Sequence, residues 1–530
     1  MRKSYILIVC FLSVTLGKLQ AQCNPPTAFD YLDINNVKAR INLTDMWWDL
    51  VNNSAYVVPK DSGVSSLFAG CLWIGGIDPG GELKIAAQTY RQSGNDFFPG
   101  PLDASGNITS DLCNNFDRIW KVNRSTIDSF NYGLFQDIPP SILDWPGRGN
   151  PNLAFLPDQD LAPFFDVNGD GIYDPSSGDF PSVLGDQALW YVFNDKGNIH
   201  SASDGGQLSV EVKASAFSYK SSCLNNTTFY QYSIRNVGND LDSVFIGLWT
   251  DPDLGCYSDD YIGCDTLRNL GIVYNGSADD GGNDCSVNYG NHSPYLGIRV
   301  LDIIGADPIP QKLMTNFMAF YNDFSTDGNP QDAEDYYGYL KSVWTDGTHL
   351  TLGGNGYGGT IPTNFIYPGD PSIATDWTEC SENNPYSDKR FIISSGPFAF
   401  PSGEEIKITY AAVWVRPPAG TYPCPSFQML QDTADCVLDQ YQSLHPTGLN
   451  ELPTDAISVY PNPATDRIDF PNVILNGTTL SIRNVFGEVV MRKTFSAVSS
   501  YFDISELDAG IYFIDISSPA KRFVAKFVKD

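Results

Sequence analysis

Histidine is scarce in this chain. The four residues His200, His292, His349 and His445 stand far apart, and neither an HExxH nor a GxSxG stretch occurs. That removes the recognisable signatures of zinc-dependent proteolysis and serine-hydrolase chemistry. Cysteine never occurs as CxxC, which removes the zinc-ribbon and thioredoxin-type motifs. No apolar run reaches the roughly 18 residues of a membrane-spanning helix, so no transmembrane segment is expected in the mature chain. No unit repeats at a fixed period, which disfavours solenoids and propellers. Basic residues are few as well: 32 Lys and Arg against 62 Asp and Glu give a formal charge of −30. Such a surface repels nucleic acid and anionic lipid, and neither is expected as a partner.

What is present starts with an export signal. Arg2 and Lys3 precede the apolar run YILIVCFLSVTLG, and Leu19, Gln20 and Ala21 follow before Gln22. A basic start, a short apolar core and a small residue at the cut describe a secretory signal peptide over 1–21. Leu19 is one position too far from Cys23 for a lipoprotein signal. Cleavage after Ala21 removes three basic residues and no acid, taking the charge from −30 to −33. With 42% hydrophobic, 13% aromatic and only 18% charged residues, the chain has ample material for a packed core. Its acidity therefore points to solubility or to divalent-cation binding.

Once Cys10 leaves with the signal, ten cysteines remain, an even count that points to disulfides in an exported protein. Their connectivity is not readable from sequence. Cys256 with Cys264, and Cys424 with Cys436, are close enough to staple local loops.

From Tyr31 onward the chain reads as strand and turn. Val37, Ala39 and Ile41 alternate onto one face. LFAGCLWIGGI and ELKIAAQTYR flank Asp78-Pro79-Gly80-Gly81, where proline followed by glycine predicts a type II turn. DRIWKV predicts a strand, NRSTIDSFNYGL a short helix, and IPPSILDW a single helical turn. Two longer helices are expected. One is DAEDYYGYLKSVW, with acids in its first turn. The other is SFQMLQDTADCVLDQYQSLH, capped by Ser426 and packing through Met429, Leu430, Ala434, Val437, Leu438 and Tyr441. KRFIISSGPFAF and EEIKITYAAVWVRP predict a hairpin about Pro401-Ser402-Gly403.

The expected fold is mainly β: a large β-sandwich-type body with a few short helices, and a small Ig-like seven-stranded sandwich at the C-terminus. The expected divisions are β-rich parts at 22–220 and 221–445, a linker at 446–456, and a separate domain at 457–530.

The sharpest chemical motif is FFDVNGDGIYDP. Asp166, Asn168 and Asp170 place oxygens at positions 1, 3 and 5 of a loop, and Gly171 permits the turn. Ile172 would offer its carbonyl at position 7, Asp174 stands at position 9, and Asp179 can complete the shell. Ser177 occupies position 12, where an EF-hand carries glutamate, so the segment resembles dockerin-like and thrombospondin-like calcium loops instead. An Asx-rich surface turn is the plainer reading. A second acidic stretch holds Asp251, Asp253, Asp259, Asp260 and Asp265, whose mutual repulsion would favour a cation although the spacing fits no standard loop. Structural calcium is the expected cofactor at both.

Gly354, Gly356 and Gly359 formally match GxGxxG, but no βαβ unit surrounds them, and a glycine-rich loop is expected. Trp47, Trp48, Trp73, Trp190 and Trp344 would line either a glycan-binding face or, by the usual burial tendency, the core. The expected role is calcium-stabilised binding, adhesion or surface structure. The alternative is a polysaccharide-degrading hydrolase using two carboxylates, which have no sequence signature.

The last residues carry a family resemblance. VYPNPATDRI, LSIRNVFGEVV, LDAGIYFIDI and the basic closing strand KRFVAKFVK are similar to the C-terminal sorting domain (type A) of the type IX (Por) secretion system of Bacteroidetes. The resemblance implies passage through periplasm and outer membrane by that machinery. It also implies removal of the domain near the linker, and a body released or held on surface lipopolysaccharide or glycans. Its motif falls here on Tyr460, Pro461, Asn462, Pro463, Gly510, Tyr512 and Lys526. Segments of the body, among them LFAGCLWIGG and DPDLGCYSDDYIGCDTLRNLGIVYNG, resemble large exported Bacteroidetes proteins with the same tail. That likeness implies a surface context and no activity.

Overall fold

Apolar alternation builds two large antiparallel sheets in the body. In spatial order the first contains Phe29–Leu32, Lys38–Asn42, Asp45–Met46, Ala69–Ile77, Leu241–Asp251, Lys389–Phe400 and Asn316–Tyr321. The second contains Asp260–Asp265, Leu270–Asn275, Tyr295–Ile304, Glu405–Val415, Thr227–Asn236, Val210–Ser218, Gln187–Asn194 and Phe98–Pro99. Trp73, Ile246, Leu248 and Ile393 of the first share one buried cluster with Val212, Tyr230, Ile298 and Ile408 of the second. This is the expected β-sandwich. The computed structural model describes residues 23–530 except 91–93, 282–284, 309, 311, 419–421, 446–453, 457–458, 475–478, 485–488, 495–498 and 518–521. The expected signal peptide and most of the expected linker lie outside the described residues.

Tryptophan belongs to the core. Trp47, Trp73, Trp190 and Trp344 are buried and Trp48 is partly buried. The Trp47 indole N–H donates to the Tyr230 hydroxyl on the opposite sheet at 2.8 Å, and Trp73 lies parallel to Trp249. These residues form no open glycan-binding face.

Helices cover the sheets. Ala333–Leu340 is capped by Asp332, which accepts from the Asp335 N–H, and it lays Tyr336 edge-on against Trp73 at 4.8 Å. In Gln428–Leu444 the buried positions are Leu430, Ala434, Val437 and Tyr441. Met429 is exposed, so the apolar stripe is narrower than expected. The Ser426 hydroxyl accepts from the Gln428 N–H at 3.3 Å. Arg124–Asn131 and Pro140–Leu143 form the two short helices that were expected. The helix Ser110–Phe116 was not legible, because its sequence is mostly polar and only Cys113 and Phe116 are buried.

Four expectations need correction. In the 78–81 turn the left-handed residue is Gly81 and not Gly80, and the Gly81 N–H donates to the Asp78 carbonyl at 2.9 Å. That is a tight turn followed by a left-handed glycine, not a type II turn. The strands 389–400 and 405–415 do not pair as a hairpin. The first lies between 241–251 and 316–321 in one sheet, and the second between 227–236 and 295–304 in the other. Both have bonded neighbours on each side, so the turn at 401–403 crosses the sandwich. The division near Ser221 does not separate the sheets either: each sheet joins a block of strands from before it to a block from after it, at 69–77 beside 241–251 and at 210–218 beside 227–236, and contacts group the chain to Val437 as one unit.

Finally, the disulfides join Cys23 to Cys113, Cys223 to Cys436, Cys256 to Cys285, and Cys380 to Cys424. Cys264 is a free buried thiol, as is Cys71. Cys264 lies inside a strand whose extended backbone carries it away from Cys256.

The C-terminal unit, 438–530, is a small two-sheet structure of its own. Thr454–Ala456, Arg522–Lys529, Gly510–Ser517, Thr479–Asn484 and Val489–Thr494 form one sheet, and Arg467–Ile474 with Ser499–Asp503 form the other. Among the described residues this unit has the seven strands expected, the first at 454–456. Ile468, Leu480, Ile482, Phe502, Ile514 and Phe527 lie in its core.

Candidate functional site

A concavity forms where three strands of the first sheet end. Asp251 closes the strand 241–251, paired with Ala69 at the start of 69–77, and Arg390 opens the neighbouring strand 389–400. With Val51, Asn52, Phe68, Tyr90, Asp253, Tyr257 and Asp388 they line a cavity of about 440 Å³. Arg390 is 1% exposed, and its guanidinium organises the floor. One terminal nitrogen donates to Asp251 Oδ2 at 3.0 Å and to the Tyr90 hydroxyl, and the other donates to Asp388 Oδ1 at 2.5 Å. Burial alone would lower the Arg390 pKa, but Asp251, Asp388 and Tyr90 together push it up, so the cation is secure. The Tyr90 ring packs on Phe68 at 4.8 Å and on Trp48 at 5.8 Å, which fixes one aromatic wall.

Oxygens of Asp251, Asp253 and Asp388 lie within 4.8 Å of one another. The site thus presents three carboxylates beside one guanidinium and aromatic faces. Such a set can accept several hydrogen bonds, donate a few, and stack against a flat apolar surface. A glycosidase needs one carboxyl able to give up a proton across from a second carboxylate. Here Asp251 and Asp388 share a single arginine, which is a poor setting for that division of labour.

The acidic stretch of the sequence is divided between three places. Asp251 and Asp253 belong to this pocket. Asp265 pairs with Arg268 at 2.9 Å and accepts from Gln431. Asp259 and Asp260 turn inward beside Asp280, and all three are buried. Burial raises the pKa of each, bringing Asp280 to about 6 and Asp260 well above the usual carboxylate range, with Asp259 adding to the shift of Asp260. Asp388, Arg390, Tyr90 and Asp280 gave no signal in the sequence. They reach their partners only through strand pairing and the 256–285 disulfide.

The 166–179 loop stands apart on the surface. Both Asp166 oxygens accept backbone N–H groups, from Gly169 at 2.6 Å and Gly171 at 2.7 Å, and these bonds hold its carboxyl below the usual range. Asn168 donates to Asp170 at 2.9 Å, and the Ile172 N–H donates to Asp170 Oδ1 at 2.8 Å. Gly169 and Gly171 are both left-handed. Asp174 caps the turn Pro175–Ser177. The buried Asp179 accepts from the N–H groups of Val167 and Asp174, tying the two ends of the loop together. The oxygens of Asp166, Asn168 and Asp170 are hard donors at the alternate spacing that calcium loops use, so this donor set fits the ion.

Of the histidines, His200 is buried with both ring nitrogens within 2.7 Å of backbone carbonyls, a structural placement.

In the C-terminal unit, Asn462 lies between two bonds to the last strand, accepting from the Val528 N–H at 2.8 Å and donating to the Lys526 carbonyl at 3.2 Å. Tyr460 is bridged to Asp469, and Pro461 and Pro463 both follow cis peptide bonds. Tyr512 stacks on Phe527, and Lys526 is exposed. Gly510 is the first residue of its strand and is not left-handed.

A small C-terminal β-sandwich held by a proline-rich opening and an alternating last strand is the class of domain this unit represents. Residues 458–530 match the family described as the secretion system C-terminal sorting domain. The protein therefore carries a type IX sorting domain, recognised by that machinery, and is exported to the cell surface or secreted through the outer membrane. No curated protein shows significant similarity to the chain. No helix among the described residues is long and apolar enough to cross a membrane.

Proposed function

We propose that the body is a calcium-stabilised binding protein that takes a surface glycan in the Asp251–Arg390 pocket. The observation that supports this most is the pocket itself: the Tyr90 and Phe68 rings beside converging carboxylates and a fixed guanidinium. The apolar face of a sugar ring matches the aromatic wall, and its hydroxyls match planar groups that accept and donate in pairs. Arg390 favours binding over hydrolysis, since it occupies both of the deeper carboxylates. Calcium in the 166–179 loop belongs to the same proposal, with Asp166, Asn168 and Asp170 as its side-chain ligands.

The test is retention of the full chain on a panel of immobilised polysaccharides and lipopolysaccharides, with reducing ends assayed in parallel. Retention by at least one glycan, weakened about tenfold by Tyr257→Ala, with no new reducing ends, is expected. Release of reducing ends would favour the hydrolase, and absence of retention across the panel would remove the glycan reading. For calcium, the melting temperature should rise when the ion is added after chelation, and an unchanged value in both would end that part of the proposal.

A further inference from the structure

Following Asp253 of the pocket in the chain comes a second acidic group whose surroundings differ from those of both the loop and the pocket. Asp260 and Asn275 are directly opposed residues of the antiparallel pair 260–265 and 270–275, and the Asp259 carbonyl accepts from the Gly276 N–H at 2.7 Å. Asp259 Oδ2 accepts from the Gly281 N–H at 2.9 Å, which brings the 276–281 turn alongside. Asp280 is drawn in from the other side, accepting from the N–H groups of Cys256 at 2.9 Å and of Tyr289. Asp260 Oδ2 accepts from the Leu254 N–H at 3.0 Å. Three carboxylates and an amide therefore share one buried region, at most 6% exposed.

Hydrogen bonding does not account for all of their oxygens. Among the described residues, Asp260 Oδ1 and Asn275 Oδ1 are buried with no donor. A buried acceptor left unmatched costs about 1–3 kcal/mol, and more when charged. Among the described residues the ion pairs of this region go to Asp251, Asp265, Asp388 and Glu379, not to these three aspartates. Buried like charges without a basic partner are stable only if protonated or neutralised by a bound cation.

We propose that Asp259, Asp260, Asn275 and Asp280 bind one calcium-like divalent cation inside the body, distinct from the 166–179 loop. The donors are hard oxygens, three of them anionic, which matches calcium and does not suit a soft transition metal. Binding has to draw the three carboxylates closer, since among the described residues the acidic group whose oxygens all stand within 4.8 Å of one another is Asp251, Asp253 and Asp388. Calcium suits that adjustment better than magnesium, because it accepts six to eight ligands in irregular geometry. The chain between Asp251 and Asp260 carries Asp253 and Tyr257 to the pocket rim, and the Cys256–Cys285 disulfide clamps its middle. The cation fixes the base of that wall. This consequence rests on the pocket being a binding site, whereas the cation site itself does not.

The experiment is calcium titration of the full chain by calorimetry, with terbium luminescence as a second readout. Wild type is compared with Asp260→Asn/Asp280→Asn and with Asp166→Asn/Asp170→Asn. The interior variant is expected to lose one bound ion while remaining folded, and the loop variant is expected to keep that ion. Unchanged stoichiometry in the interior variant overturns the proposal. If the interior variant does not fold, the loop variant decides: one remaining ion supports the interior site, and none overturns it. A loop variant that loses nothing refutes the loop reading alone. Glycan retention that stays intact in the interior variant removes the link to the pocket but not the site.

Discussion

The exposed loop at 166–179 and the buried group at 259–280 use the same residue type under opposite electrostatics. Asp166 stands in water with backbone N–H groups around it, and its charged form is favoured. Asp260 and Asp280 lie in the interior beside another carboxylate, and their charged forms are opposed by burial first and repulsion second. Acidic sequence alone does not distinguish a loop that stabilises its own charge from a cluster that needs charge supplied. Burial does, and burial is set by strand pairing far along the chain.

The largest expected effect lies on the buried side. Arg390→Ala removes the cation that holds Asp251 and Asp388, leaving a carboxylate 1% exposed without its main counter-charge. A loss of about 3–5 kcal/mol in a denaturant melt is expected. A loss below about 1 kcal/mol would mean that the pocket floor is more hydrated than its burial indicates.

A pair of glycines gives the next contrast. A Cβ on left-handed Gly255 would lie 1.9 Å from Asp280 Oδ2, whereas one on left-handed Gly169 meets nothing within 4 Å. Gly169→Ala should cost about 1 kcal/mol from backbone strain alone. Gly255→Ala should cost about 2–4 kcal/mol, because the Asp280 backbone bonds must shift as well. Equal losses in chemical denaturation would break the distinction between an open loop and a packed interior.

Acidity separates the regions by sign. In chelator, the folded state holds the Asp280 proton up to about 6, against 3.8 ordinarily, with Asp259 and Asp279 reinforcing the shift. Its stabilising contribution is complete below about 3.8 and is lost as pH rises through about 6. Asp166, held low, contributes in the opposite sense: its stability is present above the usual carboxylate range and fades as pH falls through it. Melting temperatures of Asp280→Asn relative to wild type should therefore improve as pH rises from 4 to 7, and calcium should narrow the gap. The smallest effect is expected from Asp166→Asn in chelator: a slight fall in melting temperature at neutral pH that disappears as pH falls through the carboxylate range.

How much of this was legible depended on sequence distance. The alternation of Val37, Ala39 and Ile41 marks a buried face without further information, and all three are buried. The spacing of Asp166, Asn168 and Asp170 announces a structured loop because every partner lies within a few residues. The tail was legible for a similar reason, its motifs being local. Arg390 was not, since its key partner Asp251 is 139 residues away. Asp280 was missed because its place is defined by Cys256 and Tyr289 N–H groups in separate segments. The 389–415 segment misled because two alternating strands about a tight turn read as a hairpin, and only the competition of better-placed neighbours draws them into different sheets.

That crossing has a consequence for the order in which the protein can be made. The strands 389–400 and 405–415 sit inside their sheets, not at the edges, yet they are among the last parts of the body to be synthesised. Until residue 415 exists, the strand 241–251 has one unfilled edge, and so has 227–236. A body cut short before 389 would leave 241–251 and 316–321 without a partner in one sheet and 227–236 and 295–304 in the other, the kind of open strand edge that templates aggregation. The sandwich therefore cannot close until the chain has been made as far as residue 415.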